Sequence, residues 1–431
     1  MFSHSIFTMA VAVLLTDSHI TKAEADPWSY LSVKLPTTLS DMAITHMTYG
    51  NSSATDASPS TDTDDVIILT GGCSSEYGNQ FIENGEDEIF ACTQLSKKTY
   101  AFKPIAPKTQ FQAWSGEFTV LSDMPRERAR HVSFEAWDGS VCVIGGRDIT
   151  DTLIAEIDCY NKDTDHWSTI GKLPEEYLTS DAAGFAMGNS AYLIGGYGTS
   201  YEAMDKVTVI DISNLNDIKF FSGPPLGTKR GSIDVAVLDN SMIYVSGGFT
   251  HNHDYSKPLN TVEQLTIGTS SWIPVNALNE EKGGKELVTL KGNIYALGGE
   301  RRIDVSGIAK EELLDLVGKG EVLDTVEMLA PHEDVHGGKS EWRVIGTMPS
   351  SLVRFAASDF EFGEDGVIFV FGGQSTYDAD CECFRNSDKV MVFDASRAFE
   401  TEESNASGIT YTINDFVACC MALSVVIGSL I

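Results

Sequence analysis

The chain has 431 residues, of which 42% are hydrophobic, and this provides enough apolar material for a large buried core. It contains 62 acidic and 30 basic residues, so its formal net charge is −32. Contacts with phosphate backbones need clusters of lysine and arginine, and the charge therefore argues against a nucleic-acid partner.

Residues 1–25 are predicted to be a secretory signal peptide. An apolar core at residues 6–15 is followed by Ala23-Glu24-Ala25, which places small residues where signal cleavage uses them. The core is too short to span a bilayer, and this favours a signal over an anchor. The mature chain is therefore expected in the secretory pathway, at the cell surface or secreted.

Six segments share a run of apolar or small residues that ends in a Gly-Gly pair. They occupy residues 66–72, 141–146, 191–196, 243–248, 294–299 and 368–373. The runs are rich in β-branched and aromatic residues, which is typical of buried strands. The first glycines fall at positions 71, 145, 195, 247, 298 and 372, and spacings of about fifty residues are typical of a propeller.

A second strand and an aromatic residue seven positions before a proline follow several of these runs. The clearest copy has Tyr160, Trp167 and Pro174, and Trp342 with Pro349 repeats the spacing. With the Gly-Gly pairs, this pattern resembles the kelch-repeat family over roughly residues 27–400. The resemblance implies an all-β fold, a six-bladed kelch β-propeller with four antiparallel strands per blade, at residues 26–400.

The two ends of the repeat region are expected to form one blade. Residues 28–36 read like the outer strand at residues 167–174, although no Gly-Gly run precedes them. The sixth repeat has a strand at residues 389–394 but nothing like an outer strand after Phe399. We therefore predict that the N-terminal strand completes blade 6 and closes the ring, which hides the sheet edges of an open array.

Three segments interrupt the repeats. Residues 73–97 form a long excursion in blade 1, and residues 308–317 in blade 5 are predicted to form a short amphipathic helix. The Ser/Thr/Asp-rich residues 51–65 are predicted to be disordered. Asn51 begins a glycosylation sequon there, and we expect a glycan on it in an exported chain.

The end of the chain is predicted to be a membrane anchor. Residues 401–415 form a tether that contains small residues and a spacer, and the apolar residues 416–431 reach the final position. This order is typical of a GPI signal, with the lipid attached at Asn405. A short transmembrane tail is the alternative, although the apolar run is short and no lysine or arginine follows it.

The eight cysteines of an exported chain favour disulfides over metal sites. We expect Cys142 to pair with Cys159, with buried free thiols as the alternative, and Cys73 to pair with Cys92. Cys381 would then pair with Cys383, unless the set is reshuffled to include Cys73. Zinc is not expected, because no matched pair of Cys-x2-Cys couples is present.

The face that carries the loops after the Gly-Gly pairs is the predicted ligand face. In an antiparallel four-stranded blade, these loops and the links to the next blade lie on the same side. Arg128, Arg230 and Arg354 each lie near the start of an innermost strand, so they are predicted to converge at the channel mouth. The kelch resemblance implies partner binding there, although blades 3 and 5 carry Asp181 and Lys282 instead. The alternative is that each arginine pairs with acidic neighbours.

Four tyrosines on the same loops are expected to pack on the apolar part of a ligand. They are Tyr77, Tyr197, Tyr255 and Tyr377. The predicted function is a non-enzymatic extracellular binding or adhesion module for a protein or an acidic glycan. Contact with the membrane is expected through the C-terminal anchor.

A secreted propeller enzyme acting on sugars is the alternative function. Kelch propellers also include copper radical oxidases similar to galactose oxidase and a sialic-acid mutarotase, so the fold leaves this open. The sequence has no nucleophile elbow, phosphate loop or extra domain for copper ligands, so no catalytic residue and no cofactor is assigned. His251 and His253 lack a third ligand, and the acids at 378, 380 and 382 lack the loop spacing of a calcium site, so no metal is predicted.

Overall fold

The computed structural model describes residues 26–47, 65–84, 87–109, 112–251, 256–301, 320–331, 340–362 and 365–397. Several predicted features lie outside these described residues. They are the signal peptide, Asn51, Tyr255, the helix at residues 308–317, Asn405 and the tail at residues 416–431.

Six four-stranded antiparallel sheets make up the fold, and each corresponds to one predicted blade. From the innermost strand outwards, blade 1 consists of Ala43–Met47, Val66–Thr70, Thr99–Ile105 and Ser115–Leu121. Blade 2 consists of Val132–Glu135, Val141–Ile144, Glu156–Asn161 and His166–Lys172. Blade 3 consists of Ala183–Met187, Ser190–Ile194, Val207–Asp211 and Lys219–Ser222. Blade 4 consists of Asp234–Leu238, Met242–Ser246, Val262–Thr266 and Ile273–Val275. Blade 5 consists of Glu286–Leu290, Asn293–Leu297, Thr325–Leu329 and Arg343–Thr347. Blade 6 consists of Ala356–Phe362, Asp365–Phe371, Val390–Asp394 and Trp28–Tyr30.

The innermost strands contact one another in a closed cycle, in which blade 1 contacts both blade 2 and blade 6. The predicted all-β fold of six antiparallel four-stranded blades is therefore confirmed. Its second strands are buried almost completely, as in Val141–Ile144, because they lie inside a blade with another blade on each side. Within the described ranges one complete helix is present, the short 3-10 helix Glu175–Tyr177. None of the described helices is long and apolar enough to cross a membrane.

The fourth strand of blade 6 comes from the N-terminal segment. Trp28–Tyr30 pairs antiparallel with Val390–Asp394, and the Trp28 ring lies 5.0 Å from that of Phe393. Two backbone hydrogen bonds extend the contact beyond the strand, from Leu31 N to Val390 O and from Leu35 N to Asp388 O, at 2.9 and 2.8 Å. The described ends of the chain thus meet in one sheet.

The Gly-Gly pairs lie where neighbouring blades approach most closely. In blade 2, Gly145 and Gly146 have φ values of 69° and 82°, which side chains rarely adopt. A Cβ atom on Gly145 would lie 2.7 Å from the carbonyl oxygen of Thr179 in the link to blade 3. Gly146 instead donates its N–H to that same oxygen at 3.0 Å. The second glycine makes the equivalent hydrogen bond to the next blade in all six copies.

Among the described residues, four antiparallel strand pairs, which we call hairpins, follow the Gly-Gly pairs of blades 1, 4, 5 and 6. Their strands are Asn79–Asn84 with Asp87–Cys92, Phe249–His251 with Ser256–Pro258, Glu300–Arg301 with Glu321–Val322, and Gln374–Asp378 with Cys383–Asn386. The blade 1 excursion predicted from the spacing is the first of these hairpins.

The part of the chain that the structure describes contains three disulfides, and they join the pairs expected from the sequence. Cys73 is bonded to Cys92, Cys142 to Cys159, and Cys381 to Cys383. Cys142 and Cys159 lie directly opposite each other on neighbouring strands of blade 2. The other two disulfides brace the hairpins of blades 1 and 6.

A thiol count tests these pairings. Protein covering residues 26–404 contains six cysteines, all of them in the three disulfides. We expect the denatured, unreduced protein to contain no thiol that reacts with Ellman's reagent, and six after reduction. Six reactive thiols before reduction would contradict all three pairs, and two would show that one pair is open.

Candidate functional site

The links that lead into the six innermost strands meet around the central axis and form the candidate site. One residue in each link has a left-handed backbone, with φ between 52° and 59°. These residues are Asp41, Arg130, Asp181, Ser232, Gly284 and Arg354. Each donates its backbone N–H to the carbonyl oxygen of its counterpart in a neighbouring blade, at N···O distances of 2.9–3.0 Å. The six hydrogen bonds close a circle around the channel, which we call the mouth circle.

The mouth circle holds residues in a conformation that they rarely adopt alone. Five of its six members are not glycine, and a left-handed backbone costs such a residue on the order of 1 kcal/mol. Hydrogen bonds from both neighbouring blades maintain the conformation at every position. The side chains of the mouth circle are therefore carried on a rigid backbone, which is the usual requirement for a preorganised binding surface.

The charges on the mouth circle compensate one another. Arg354 Nη1 lies 3.0 Å from Asp41 Oδ1, and Arg130 Nε lies 3.5 Å from the same oxygen. Arg130 Nε is also 3.9 Å from Asp181 Oδ1. Burial would raise the pKa of Asp41, but the positive charges of Arg354 and Arg130 lower it below its ordinary value. Two arginines and two aspartates thus form a nearly neutral patch on a strongly acidic protein.

Contacts of Arg130 extend the patch onto the loops of blades 2 and 3. Arg130 Nη1 donates to the Tyr201 hydroxyl at 3.0 Å, and that hydroxyl donates to Asp151 Oδ1 at 2.6 Å. The Arg147 guanidinium stacks on the Tyr201 ring, 3.9 Å from its centroid. Burial opposes the charge on Arg130, but Tyr201, Asp181 and Asp41 raise its pKa well above the ordinary value. Arg130 therefore keeps its charge at any physiological pH.

A cavity of about 120 Å³ is lined by the first residues of the innermost strands, which follow the mouth circle in the chain. Small and apolar residues line it together with four polar ones, His131, Ser133, Asp234 and Glu286. Leu287 N donates to Asp234 Oδ2 at 2.7 Å. Burial raises the pKa of Asp234, and burial together with the Asp234 charge raises that of Glu286 well above its ordinary value. The cavity can hold polar groups or a few water molecules.

The hairpins of blades 1 and 6 join on the predicted ligand face and form the hairpin shelf, which we define as residues 73–84, 87–92 and 374–386. Gly78 pairs with Phe384, and Asn386 Nδ2 donates to the carbonyl oxygens of Cys73 and Ser75 at 2.8 and 2.9 Å. An open cleft of about 490 Å³ is lined by residues 375–380 and Arg385.

No protein-family model matches the chain. It is 25% identical over 216 residues to alpha-scruin of Limulus polyphemus, which covers 48% of this chain and 23% of that protein. Kelch-like protein 40 of Mus musculus is 26% identical over 192 residues, which cover 44% of this chain and 29% of that protein. Kelch repeat protein M-T8 of Myxoma virus (strain Lausanne) is 25% identical over 265 residues, which cover 61% of this chain and 44% of that protein. The predicted resemblance to the kelch-repeat propellers is confirmed. These alignments span less than half the length of each relative.

A solved structure of YjhT has the same fold. Its TM-score is 0.54 at 14% sequence identity, and the match covers 84% of this chain and 97% of that one. At this identity the likeness concerns the kelch propeller architecture alone.

Two of the three predicted mouth arginines lie inside blades. Arg128 in blade 2 has no exposed surface and lies 2.5 Å from Asp158 Oδ2, and Arg230 in blade 4 lies 2.8 Å from Glu263 Oε1. Lys282, which blade 5 carries instead of an arginine, pairs with Glu327 in the same way, and its Nζ lies 2.9 Å from Glu327 Oε1. The alternative expectation, that the arginines pair with acidic neighbours, describes these contacts.

Only Arg354 of the predicted arginines lies on the mouth circle, and Arg130 was missed. Each member of the circle lies two residues before an innermost strand, a position that Arg354 and Arg130 share and that Arg128 and Arg230 do not. If the six links are aligned by the first residue of each innermost strand, rather than by their arginines, Arg130 and Arg354 fall at the same position. A ligand-binding role for Arg128 and Arg230 stays a prediction, and it would require them to leave their carboxylates.

The predicted tyrosines have different environments. Tyr197 is only 4% exposed, and its ring lies against Gly231, where a Cβ would be 2.5 Å from the ring. Tyr77 is 42% exposed on the hairpin shelf, with the Arg385 guanidinium 5.4 Å from its ring centroid. Tyr377 lines the open cleft. The structure therefore brings Tyr77 and Tyr377 together on one surface.

Among the residues that the structure describes, no group of three or more His, Cys, Asp and Glu side chains is arranged to hold a metal ion. The carboxyl pair at Asp234 and Glu286 is a feature that the sequence analysis did not find, because the two residues lie on different blades. A carboxyl residue at the first position of two successive innermost strands is the signal that could have revealed it.

Proposed function

We propose that the protein is an extracellular, non-enzymatic binding module that holds a protein ligand against the mouth circle and the hairpin shelf. The observation that carries this proposal is the closed hydrogen-bonded circle, which fixes Arg130 and Arg354 on a surface surrounded by loops. A surface that is already in its binding conformation loses little conformational entropy when a ligand docks.

The extracellular location is supported by the three disulfides. Such bonds persist in oxidising compartments and are rare in the cytosol. They agree with the signal peptide predicted from residues 1–25.

An acidic group of the ligand is expected at the arginines. The side chains of Arg130 and Arg354 are 12% and 15% exposed, so each keeps some surface for an additional acceptor. The rest of the protein is strongly acidic and repels such a group, whereas the mouth circle is close to neutral. Tyr77 and Tyr377 would contact apolar parts of the same ligand. A protein segment can offer both an acidic group to the arginines and apolar side chains to the tyrosines. An acidic glycan is the other class of ligand that a binding screen could identify.

The cavity that contains Asp234 and Glu286 is small for a sugar-binding active site. Ligand pockets usually enclose about 300–1,000 Å³, and the cavity that contains Asp234 and Glu286 has about 120 Å³. This cavity therefore does not support the alternative of an enzyme acting on sugars.

A binding screen with matched variants tests the proposal. A peptide and glycan array would identify a ligand, and Arg130→Ala and Arg354→Ala should each weaken its binding by about 1–3 kcal/mol. Binding by both variants should also depend less on salt than binding by the unmodified protein. Arg343→Ala removes an exposed arginine from the outer strand of blade 5 and is the control. Equal affinity and salt dependence in all four proteins would refute the proposed site.

A further inference from the structure

We propose that the Cys381–Cys383 disulfide is a thiol-exchange site that controls the conformation of the cleft on the hairpin shelf. A small thiol or the dithiol of an oxidoreductase would be its substrate. This site is separate from the mouth circle, and it does not depend on the proposed binding function.

Accessibility distinguishes this disulfide from the other two. Cys381 is partly exposed, whereas Cys73, Cys92, Cys142 and Cys159 are each 8% exposed or less. Exchange requires a thiolate to approach a sulfur along the S–S axis, so access limits its rate. Cys383 is completely buried and is therefore the leaving group.

The fold can tolerate opening of this bond. Its cysteines are separated by only 2 positions in the sequence, compared with 19 and 17 in the other disulfides. The entropy that a disulfide removes from the unfolded chain increases with the length of the closed loop. Reduction of the smallest loop therefore removes the least stability, and the propeller is expected to stay folded.

The local backbone would change when the bond opens. The disulfide encloses Glu382, which is exposed and has a left-handed backbone with φ of 51°. A glutamate prefers other conformations, and the open form would allow them. Cys381 Sγ also lies 3.7 Å from the carbonyl oxygen of Asp378, so a free thiol could donate a hydrogen bond there.

Asp378 connects the disulfide to the cleft. Its carboxylate accepts a hydrogen bond from Arg385 Nε at 2.8 Å and another from Asp380 N at 2.9 Å. Arg385 in turn lies over the Tyr77 ring. Movement of the residues around Cys381 would thus reach the cleft wall and the exposed tyrosine of the hairpin shelf.

The exchange proceeds in two balanced steps. A thiolate attacks Cys381 Sγ, a mixed disulfide forms, and Cys383 leaves as a thiolate that takes up a proton. A second thiol then attacks the sulfur of the bound small molecule and releases Cys381, so two cysteines are reduced and two thiols become one disulfide. Around the disulfide, the acidic groups Asp378, Asp380, Glu382 and Glu76 outnumber Arg385, so an anionic thiol is repelled and a cationic thiol is favoured.

Differential alkylation of the native full-length protein tests the site. The protein is treated briefly with dithiothreitol, alkylated and digested, and each cysteine is quantified by mass spectrometry. We expect Cys381 and Cys383 to be labelled about tenfold faster than the other four described cysteines. Cysteamine should open the bond faster than mercaptoethanesulfonate, with a smaller difference at high salt. Equal labelling of all three disulfides would overturn the proposal.

Hydrogen exchange tests the control of the cleft. We expect residues 375–386 to exchange faster in the reduced protein and in the Cys381→Ser/Cys383→Ser variant than in the oxidised protein. Residues of blades 2 and 3 are the internal control and should not change. Unaltered exchange at residues 375–386 in both reduced forms would show that the bond does not control the cleft.

Discussion

Replacement of Arg230 by alanine is expected to lower the free energy of unfolding by about 3–5 kcal/mol. Arg230 has no exposed surface, and its guanidinium binds Glu263 and the carbonyl oxygens of Gly247 and Thr261. The variant would leave the charge of Glu263, whose side chain is 7% exposed, without its positive partner inside blade 4. Removal of one partner of a buried pair costs far more than the pair contributes in net stability.

Urea denaturation of matched variants measures this effect. Arg354→Ala removes a partly exposed arginine from the mouth circle and should cost clearly less. The double variant Arg230→Met/Glu263→Gln should recover part of the loss, because no unpaired charge remains in the blade. If Arg230→Ala unfolds at the same urea concentration as the unmodified protein, the ion pair does not stabilise blade 4.

The second large effect is expected at the N-terminal strand. Trp28 is 6% exposed and packs on Phe393 in blade 6. Trp28→Ala should reduce the free energy of unfolding by about 3–5 kcal/mol, because it leaves a cavity between the two described ends of the chain. Deletion of residues 26–36 should have a larger effect, because it also exposes the backbone edge of Val390–Asp394.

Thermal unfolding followed by circular dichroism distinguishes this role from a general effect of truncation. Tyr30 lies on the same strand but is 43% exposed, so Tyr30→Ala should cost no more than about 1 kcal/mol. A Trp28→Ala protein that melts at the temperature of the unmodified chain would show that the N-terminal strand does not hold the ring together.

The repeat architecture could be predicted because its signals are local. A buried strand needs an apolar run, and the close approach of two blades needs a residue without a side chain, so each blade shows its own Gly-Gly run. The isolated outer strand at Trp28 was recognisable for the same reason, since its pattern matched that of Trp167. Cys142 and Cys159 were also predictable, because they lie on neighbouring strands of a single blade.

The candidate site depended on contacts between blades, which no single segment shows. Arg128 and Arg130 are two residues apart in the same link, yet the first points into blade 2 and the second lies on the mouth circle. The partner carboxylate sets the direction of each side chain. Arg128 pairs with Asp158 within its own blade, whereas Arg130 pairs with Asp41 from the neighbouring blade. The left-handed backbone of Asp41 or Arg354 is unfavourable alone and is maintained only when hydrogen bonds from both neighbours close the circle. The chain therefore determined the blades by itself, whereas the arrangement of charged side chains at the mouth was decided by the closure of the ring.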